Sequence, residues 1–294
     1  MDNLRGWYQK LITNPGVSVS PLLIAEIGIN HNGDLNLAKR IIDIALASGC
    51  DYVKFQKRNP EICVPESMKN NLRDTPWGLI TYLEYKKKIE FGYDDFLEID
   101  KYCNSAGIGW SASAWDFDSQ NFLNRFNIPF NKVASAMNTN LNFVKRVAEE
   151  GKVTFLSTGM ASLEDISKCV EIFNGYSCPL VLLHTVSTYP AKDEDLNLAV
   201  IKTLKTNFNL PVGYSGHESS VSPSIAAAAL GAVVIERHVT LNRTMWGTDQ
   251  AASLEADGLT QLARVLKRIP KMLGDAEKKF MDIEKKSASS LRYW

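Results

Sequence analysis

Short apolar runs and helical patterns alternate eight times along this chain, and that rhythm is the strongest constraint on its fold. The runs fall at 22–27, 52–55, 108–111, 130–134, 153–156, 180–184, 212–214 and 233–236. Each is short, apolar and bounded by Gly, Pro or polar residues, as expected of strands covered on both faces. Between them, apolar residues recur at three-to-four spacing. Ala38, Ile41, Ile42 and Ala45 form one such stripe, and Leu259, Leu262, Leu266 and Ile269 another. Eight βα units in 294 residues predict a single-domain α/β protein, a (β/α)8 TIM barrel over 22–274. A doubly wound open sheet is the alternative, because alternation does not by itself show closure.

Three segments fall outside the rhythm. Residues 1–21 form an N-terminal extension. Residues 58–93 are a long insertion after the second strand, rich in Pro, Asn and aromatics, expected to cover substrate on the catalytic side. The charged tail 275–294 ends Leu291-Arg292-Tyr293-Trp294, reads as a finished terminus, and is expected to pack on the outside of the barrel.

Lys+Arg and Asp+Glu both number 33, so no net positive charge points to nucleic acid. Lys86-Lys87-Lys88 reads as a solvated helix face. The start lacks the apolar run of a signal peptide, and the apolar run at 225–235 is about half of the roughly 20 residues a membrane span needs. Five cysteines, an odd number without a C-x-x-C pair, suit buried thiols in a reducing compartment, so a cytoplasmic location is expected.

In a barrel, residues at the carboxyl ends of the strands line one mouth. Two stretches read alike there: Val212 to His217 and Val233 to His238, each an apolar strand ending in a histidine, with an Ala-rich helix between. All four histidines (His31, His184, His217, His238) follow or end a predicted strand, a pattern that suits a metal or an anionic substrate better than coincidence. The other strand-end residues include Glu26, Lys54, Gln56, Ser113, Asp116, Lys132, Ser135, Ser157, Ser187, Tyr189, Ser215, Glu236 and Asp249. Lysines and hydroxyls suit a phosphorylated, carboxylated substrate; histidines and carboxylates suit a metal and proton transfer. Lys54 ends an apolar strand, where an ammonium needs an anionic partner. That partner is either a substrate or a neighbouring carboxylate such as Glu26; a Schiff-base role would leave the histidines unexplained. Gly28 and Gly33 have P-loop spacing, but Asp34 and Leu35 follow, which excludes one. Ser157-Thr158-Gly159-Met160 suits either a phosphate cradle or a helix cap.

Five segments resemble motifs of the sialic acid (N-acetylneuraminate) synthase family. They are Ile24-Ala25-Glu26-Ile27-Gly28-Ile29-Asn30-His31-Asn32-Gly33, Val53-Lys54-Phe55-Gln56-Lys57, Leu156-Ser157-Thr158-Gly159-Met160, Gly213-Tyr214-Ser215-Gly216-His217-Glu218 and Ile235-Glu236-Arg237-His238. The resemblance runs in register from about Leu22 to Gly274. It implies a TIM-barrel transferase that condenses phosphoenolpyruvate with an open-chain aldose such as N-acetylmannosamine, giving a 3-deoxy-2-keto sugar acid and phosphate. By the resemblance, His217 and His238 bind a divalent metal, manganese in the first place, with magnesium or cobalt as alternatives. Lys54, Ser113, Lys132, Ser135, Ser157 and Ser215 hold phosphoenolpyruvate; Ser187, Tyr189 and Asp249 face the sugar; Glu26 stands at the reacting centre as a catalytic group with the two histidines.

Two departures bear on the acceptor. Met137 stands where family members carry a carboxylate that contacts the sugar, and the chain stops too soon for the C-terminal antifreeze-like domain that supplies an arginine to the N-acyl group. The chain is therefore read as a short form, and the 58–93 insertion, with Arg73, Trp77, Tyr82 and Tyr85, as a source of replacement contacts. Arg73 suits a phosphate or carboxylate. A homodimer is compatible with the sequence. The alternatives are the same chemistry on a phosphorylated hexosamine, a hexose or a pentose, or a catalytically silent sugar-binding barrel.

Overall fold

The computed structural model describes residues 4–14 and 19–294. Eight parallel strands close into a barrel: β1 (Leu22–Gly28), β2 (Tyr52–Lys57), β3 (Gly109–Ala114), β4 (Asn131–Val133), β5 (Thr154–Ser157), β6 (Leu180–Thr185), β7 (Val212–Gly216) and β8 (Val234–His238). The closing contact pairs β1 with β8, Glu26 opposite His238. The open sheet is thereby excluded.

Alternation along each strand sorts the side chains. Leu23, Ala25, Ile27, Val53 and Phe55 face outward into the layer shared with the surrounding helices. The first helix of that layer, Leu35–Ser48, buries Ala38, Ile41, Ile42 and Ala45. Asp34 caps its start, accepting from the Asn36 and Leu37 amides, and Gly49 ends it at φ 87°. Inside the barrel, the lower layer is apolar: Ile24, Phe130, Phe155, Val181, Leu183 and Val234. The upper interior is polar and equally buried, with Glu26, Lys54, Lys132 and Glu236.

The N-terminal extension is part of this barrel. Helix α1 (Leu4–Thr13) seats Leu4 and Tyr8 against the lower layer, with Trp7 edge-on to Phe155. Leu4, Tyr8 and Leu11 recur at helical spacing, so one stripe closes the barrel floor. The tail departs from expectation. From 275 to 294 no residue is buried, and the helix Lys285–Leu291 contributes nothing to the core. The tail's large apolar side chains, Phe280, Met281, Ile283, Leu291, Tyr293 and Trp294, stay exposed and do not pack on the helical layer.

The insertion folds. It contains an antiparallel hairpin, Leu72–Thr75 with Gly78–Thr81, and the helix Tyr82–Ile89, started by a Thr81–Glu84 capping box. Tyr85 is buried, and its ring meets Trp246 of the segment after β8 edge-on at 5.1 Å. All five cysteines are free. Among the described residues, no helix is long and apolar enough to cross a membrane.

Candidate active site

The upper barrel opens into a pocket of about 230 Å³ at the carboxyl ends of the strands. That volume suits a small, compact substrate, below the ~300–1,000 Å³ typical of sites for drug-sized ligands. Its lining includes Glu26, Lys54, Gln56, Ser113, Lys132, Ser135, Ser157, Ser187, Tyr189, Ser215, His217, Glu236 and His238, which the sequence placed at the strand ends, and also Trp115 and Thr185.

Buried charges occupy the floor. Lys54 Nζ lies 2.6 Å from Glu26 Oε2, 2.8 Å from Ser113 Oγ and 3.9 Å from Glu236 Oε1. Lys132 Nζ lies 3.5 Å from Glu236 Oε1 and donates to Ser157 Oγ at 2.8 Å. Ser215 donates to Glu236, and Gln56 donates to Glu26. Burial pulls Lys132 below an ordinary lysine, opposed by Glu236. Burial alone would raise Glu236, but Lys132 and Lys54 overcome it and hold the carboxyl well below its usual range. The floor is thus two ammonium groups interleaved with two carboxylates, each charge compensated in a desolvated place. Glu236 carried no assigned role from the sequence; the structure puts it between both lysines. Alternation was the available signal, since Glu236 precedes His238 by two residues and so shares its side of β8.

One wall is a hydroxyl cradle. A Cβ at Gly159 would collide with the hydroxyls of Ser187 and Ser135, so glycine lets both approach the backbone. The Ser187 hydroxyl is buried without a hydrogen-bond partner. Ser187 was expected at the sugar end; the structure puts it beside Ser135 in this cradle. Gly28, at φ +55°, sits where a Cβ would press on Gln56, Glu26 and His238.

The adjoining wall carries the histidine pair, with ring centroids 5.5 Å apart and Tyr189 over His217 at 4.0 Å. His217 Nδ1 donates to the Val186 carbonyl at 2.7 Å, which leaves Nε2 with a bare lone pair. Burial, then the neighbouring His238, push His217 down to about 3, so the ring is neutral. His238 Nδ1 is buried without a hydrogen-bond partner. Imidazoles with uncommitted nitrogens fit a divalent ion. Among the described residues no cluster of three His, Cys, Asp or Glu is assembled, so a metal here would have two protein ligands.

The residues next to each histidine tie the two strands together. Arg237, fully buried, pairs with Glu218 at 2.8 Å and donates to Ser224 and to the Glu218 carbonyl. Tyr214 and Ser224 complete the Glu218 shell. This network fixes the ends of β7 and β8, and with them His217 and His238.

Several residues lie elsewhere. His31 stacks on Phe91 at 3.9 Å and accepts from the Gly33 amide; burial pushes it down to about 3. His184 donates to the Leu196 carbonyl at 2.7 Å. Both are satisfied structural groups outside the pocket lining, which corrects the reading of four histidines as one site. Ser111 bonds the Phe130 carbonyl, and Asp116 caps a helix and accepts from the Asn59 amide. Asp249 does not line the pocket; its Oδ2 lies 3.8 Å from His238 Nδ1. Arg73 is set back on the insertion, over the Tyr85 and Trp246 rings. Met137 ends a 3-10 turn and packs against the apolar outer layer, so the pocket is lined there by Ser135 and Ala136. Lys86 is not on a solvated face: burial, then the charge of Arg58, bring it down to about 8.

The model of the NeuB family matches residues 41–278. The chain belongs to the NeuB family. It is 37% identical over 270 residues to the N-acetylneuraminate-9-phosphate synthase of Homo sapiens, covering 89% of this chain and 74% of the relative. It is 38% identical over 280 residues to the N,N'-diacetyllegionaminic acid synthase of Campylobacter jejuni, covering 92% and 83%. Among solved structures, the N-acetylneuraminic acid synthetase of Leptospira borgpetersenii in complex with citrate superposes with a TM-score of 0.83 at 33% identity, over 94% of each chain. The protein is an enzyme, a synthase of this family.

Proposed function

We propose that the protein condenses phosphoenolpyruvate with an open-chain aldose of the N-acetylmannosamine type, giving a 3-deoxy-2-keto sugar acid and inorganic phosphate. The observation that carries this reading is the buried alternation of Lys54, Lys132, Glu26 and Glu236 beneath a cradle of serine hydroxyls. A compact trianion with a phosphate and a carboxylate matches two ammonium groups and several hydroxyl donors. Family relatives named as N-acetylneuraminate-9-phosphate, legionaminic and pseudaminic acid synthases support the same reaction class.

In this mechanism Lys132, Ser135, Ser157 and Ser187 hold the phosphate, and Lys54 with Ser113 the carboxylate end. The substrate's C3 attacks the aldehyde carbon, forming the new C–C bond and leaving cationic character at C2. Glu26 stabilises that charge, accepts a proton from the water that adds to C2 and passes it to the alkoxide formed from the aldehyde; the C2–O bond to phosphate then breaks as the C2 hydroxyl becomes the ketone, its proton leaving with inorganic phosphate. Gln56, bonded to Glu26, keeps the carboxylate aimed. His217 and His238 would hold a divalent cation, manganese by family resemblance, and Tyr189 shields that side from water. Such a cation supplies Lewis acidity toward an aldehyde oxygen. Lys54 and Lys132 serve as anion binders throughout, not as Schiff-base nucleophiles.

The test is incubation with phosphoenolpyruvate, manganese and a panel of N-acetylmannosamine, mannose, arabinose and their terminal phosphates, following phosphate release and a 2-keto acid of the expected mass. No phosphate above the acceptor-free rate with any sugar refutes the reading. A borohydride-trapped adduct on either lysine refutes the assigned lysine roles.

A further inference from the structure

Behind the pocket lining, Arg58 and two cations of the insertion are not used by the mechanism above. Arg58 donates to Gln56 Oε1 and stacks on Trp115 at 4.0 Å, and both partners line the pocket. On the insertion, Arg73 lies 4.8 Å from the Tyr85 ring centre and 5.3 Å from that of Trp246. Lys86 lies 5.3 Å from the Tyr82 ring centre and 5.1 Å from that of Tyr85, so it shares an aromatic wall with Arg73. Nearby Lys57 and Lys87 are paired, with Glu90 and Glu61. Among the described residues, Arg58, Arg73 and Lys86 have no carboxylate within 4.0 Å. The acids that face Lys86 are Asp249 and Glu90. Glu90 is taken by Lys57 and the Arg58 amide, and Asp249 lies against His238.

Aromatic faces attract cations without accepting all of their N–H bonds, so these groups are held in place with donors to spare. Repulsion from Arg58 and Arg73 reaches Lys86, and Arg58 and Asp249 act on Tyr189, which puts the cluster at the Tyr189 end of the pocket. In the proposed mechanism phosphoenolpyruvate is held by Lys54, Lys132 and the serine hydroxyls, so it does not account for this second set of anion-binding groups.

We propose that Arg58, Arg73 and Lys86 form a subsite for a phosphate monoester carried by the acceptor sugar at the end away from its aldehyde. This deepens the condensation reading and rests on it. A phosphate presents three acceptor oxygens to an Arg–Arg–Lys set, and an acceptor without it leaves like charges facing one another with no carboxylate in direct ion-pair contact.

The experiment compares kcat/KM on N-acetylmannosamine and on its 6-phosphate, at saturating phosphoenolpyruvate with manganese. The wild-type protein is expected to favour the phosphate at least 100-fold. Arg73→Gln and Lys86→Gln should each cut that ratio tenfold or more, through the acceptor KM rather than kcat. The double variant should bring the ratio close to unity, and Lys86→Arg should retain most of it. The KM for phosphoenolpyruvate in each variant reports whether the cradle is intact. A wild-type ratio near one overturns the subsite even if every variant misfolds, as does a full preference surviving in the double variant. Better turnover of a 6-carboxylate analogue overturns the phosphate assignment. In each of those cases phosphate is still released and the condensation stands; release with neither sugar sinks the condensation and the subsite together.

Discussion

The two ends of the barrel are built from the same eight strands and obey opposite rules. At the amino end the inward positions are Ile24, Phe130, Phe155, Val181, Leu183 and Val234, sealed by Leu4 and Tyr8 of α1. One or two alternations further along the same strands, the inward positions are Glu26, Lys54, Lys132, Ser157, Ser215, Glu236 and His238, with as little solvent exposure. The lower layer gains from burial. The upper layer buries charges that cost stability unless each is compensated. One end therefore holds the barrel together while the other holds unspent polar groups in place, and the two should respond differently to perturbation.

The largest effect should come from the cation expected on His217 and His238. Chelation should abolish phosphate release and manganese should restore it. His217→Ala and His238→Ala should lose manganese binding, read by equilibrium dialysis, while far-UV circular dichroism stays unchanged. Full turnover by metal-stripped protein would end this assignment.

At the amino end, Phe155→Ala removes a fully buried ring that packs at a tilt 4.8 Å from Phe130 and meets Trp7 edge-on. Denaturant unfolding should show a loss of about 3–5 kcal/mol, with the KM for phosphoenolpyruvate nearly unchanged below the transition. If the KM moves more than the stability does, the division between the ends is not real.

Glu26→Gln keeps the shape and removes one charge of the floor, whose partner Lys54 lies 2.6 Å away. The expected loss in kcat is about 10²–10³-fold, the scale for removing one preorganised electrostatic contact, with a smaller change in KM. Loss confined to KM would make Glu26 a binding group and remove it from the reacting centre.

Much of this architecture is legible in the sequence, for a physical reason. Strands covered on both faces are written as uninterrupted apolar runs, so all eight stand out, and a polar residue ending such a run must have a use or a partner. Lys54, Lys132, His217 and His238 are found in that way. What strand-end position does not tell is which side of the strand a residue takes. In β6 the inward residues are Val181, Leu183 and Thr185, so His184 points away from the pocket, toward Leu196. In β8 Glu236 and His238 face in, while Arg237 between them faces out to Glu218. Counting by twos from one known inward residue recovers Glu236 and Gln56 and discards His184. His31 lies beyond Gly28, where the β1–β2 register shifts, and counting fails there. In the insertion Arg73 and the aromatics are legible as candidate contacts, but Lys86 is not, because it and Arg73 are separated in sequence and meet only on one aromatic wall.

His31 gives the subtlest test, because it is a buried histidine with none of the uses of His217. In the unfolded chain its pKa is about 6.5; in the native protein burial pushes it down to about 3. Between those values the unfolded state binds a proton that the native state does not, so stability falls as pH drops below 6.5, by up to about 1.4 kcal/mol per pH unit. The loss levels off once pH falls below the native value. His31→Phe keeps the stack on Phe91 and removes this proton, but it also leaves the Gly33 amide without its acceptor, at about 1–3 kcal/mol. The variant should thus be less stable at neutral pH and have an acid limb flatter by one proton. The two curves of unfolding free energy should converge, and then cross, roughly one to two pH units below 6.5. His217 titrates in the same direction in both proteins and drops out of the difference. Parallel limbs from pH 7 to pH 4 would mean that His31 is protonated in the native state, and that the distinction between structural and functional histidines was drawn in the wrong place.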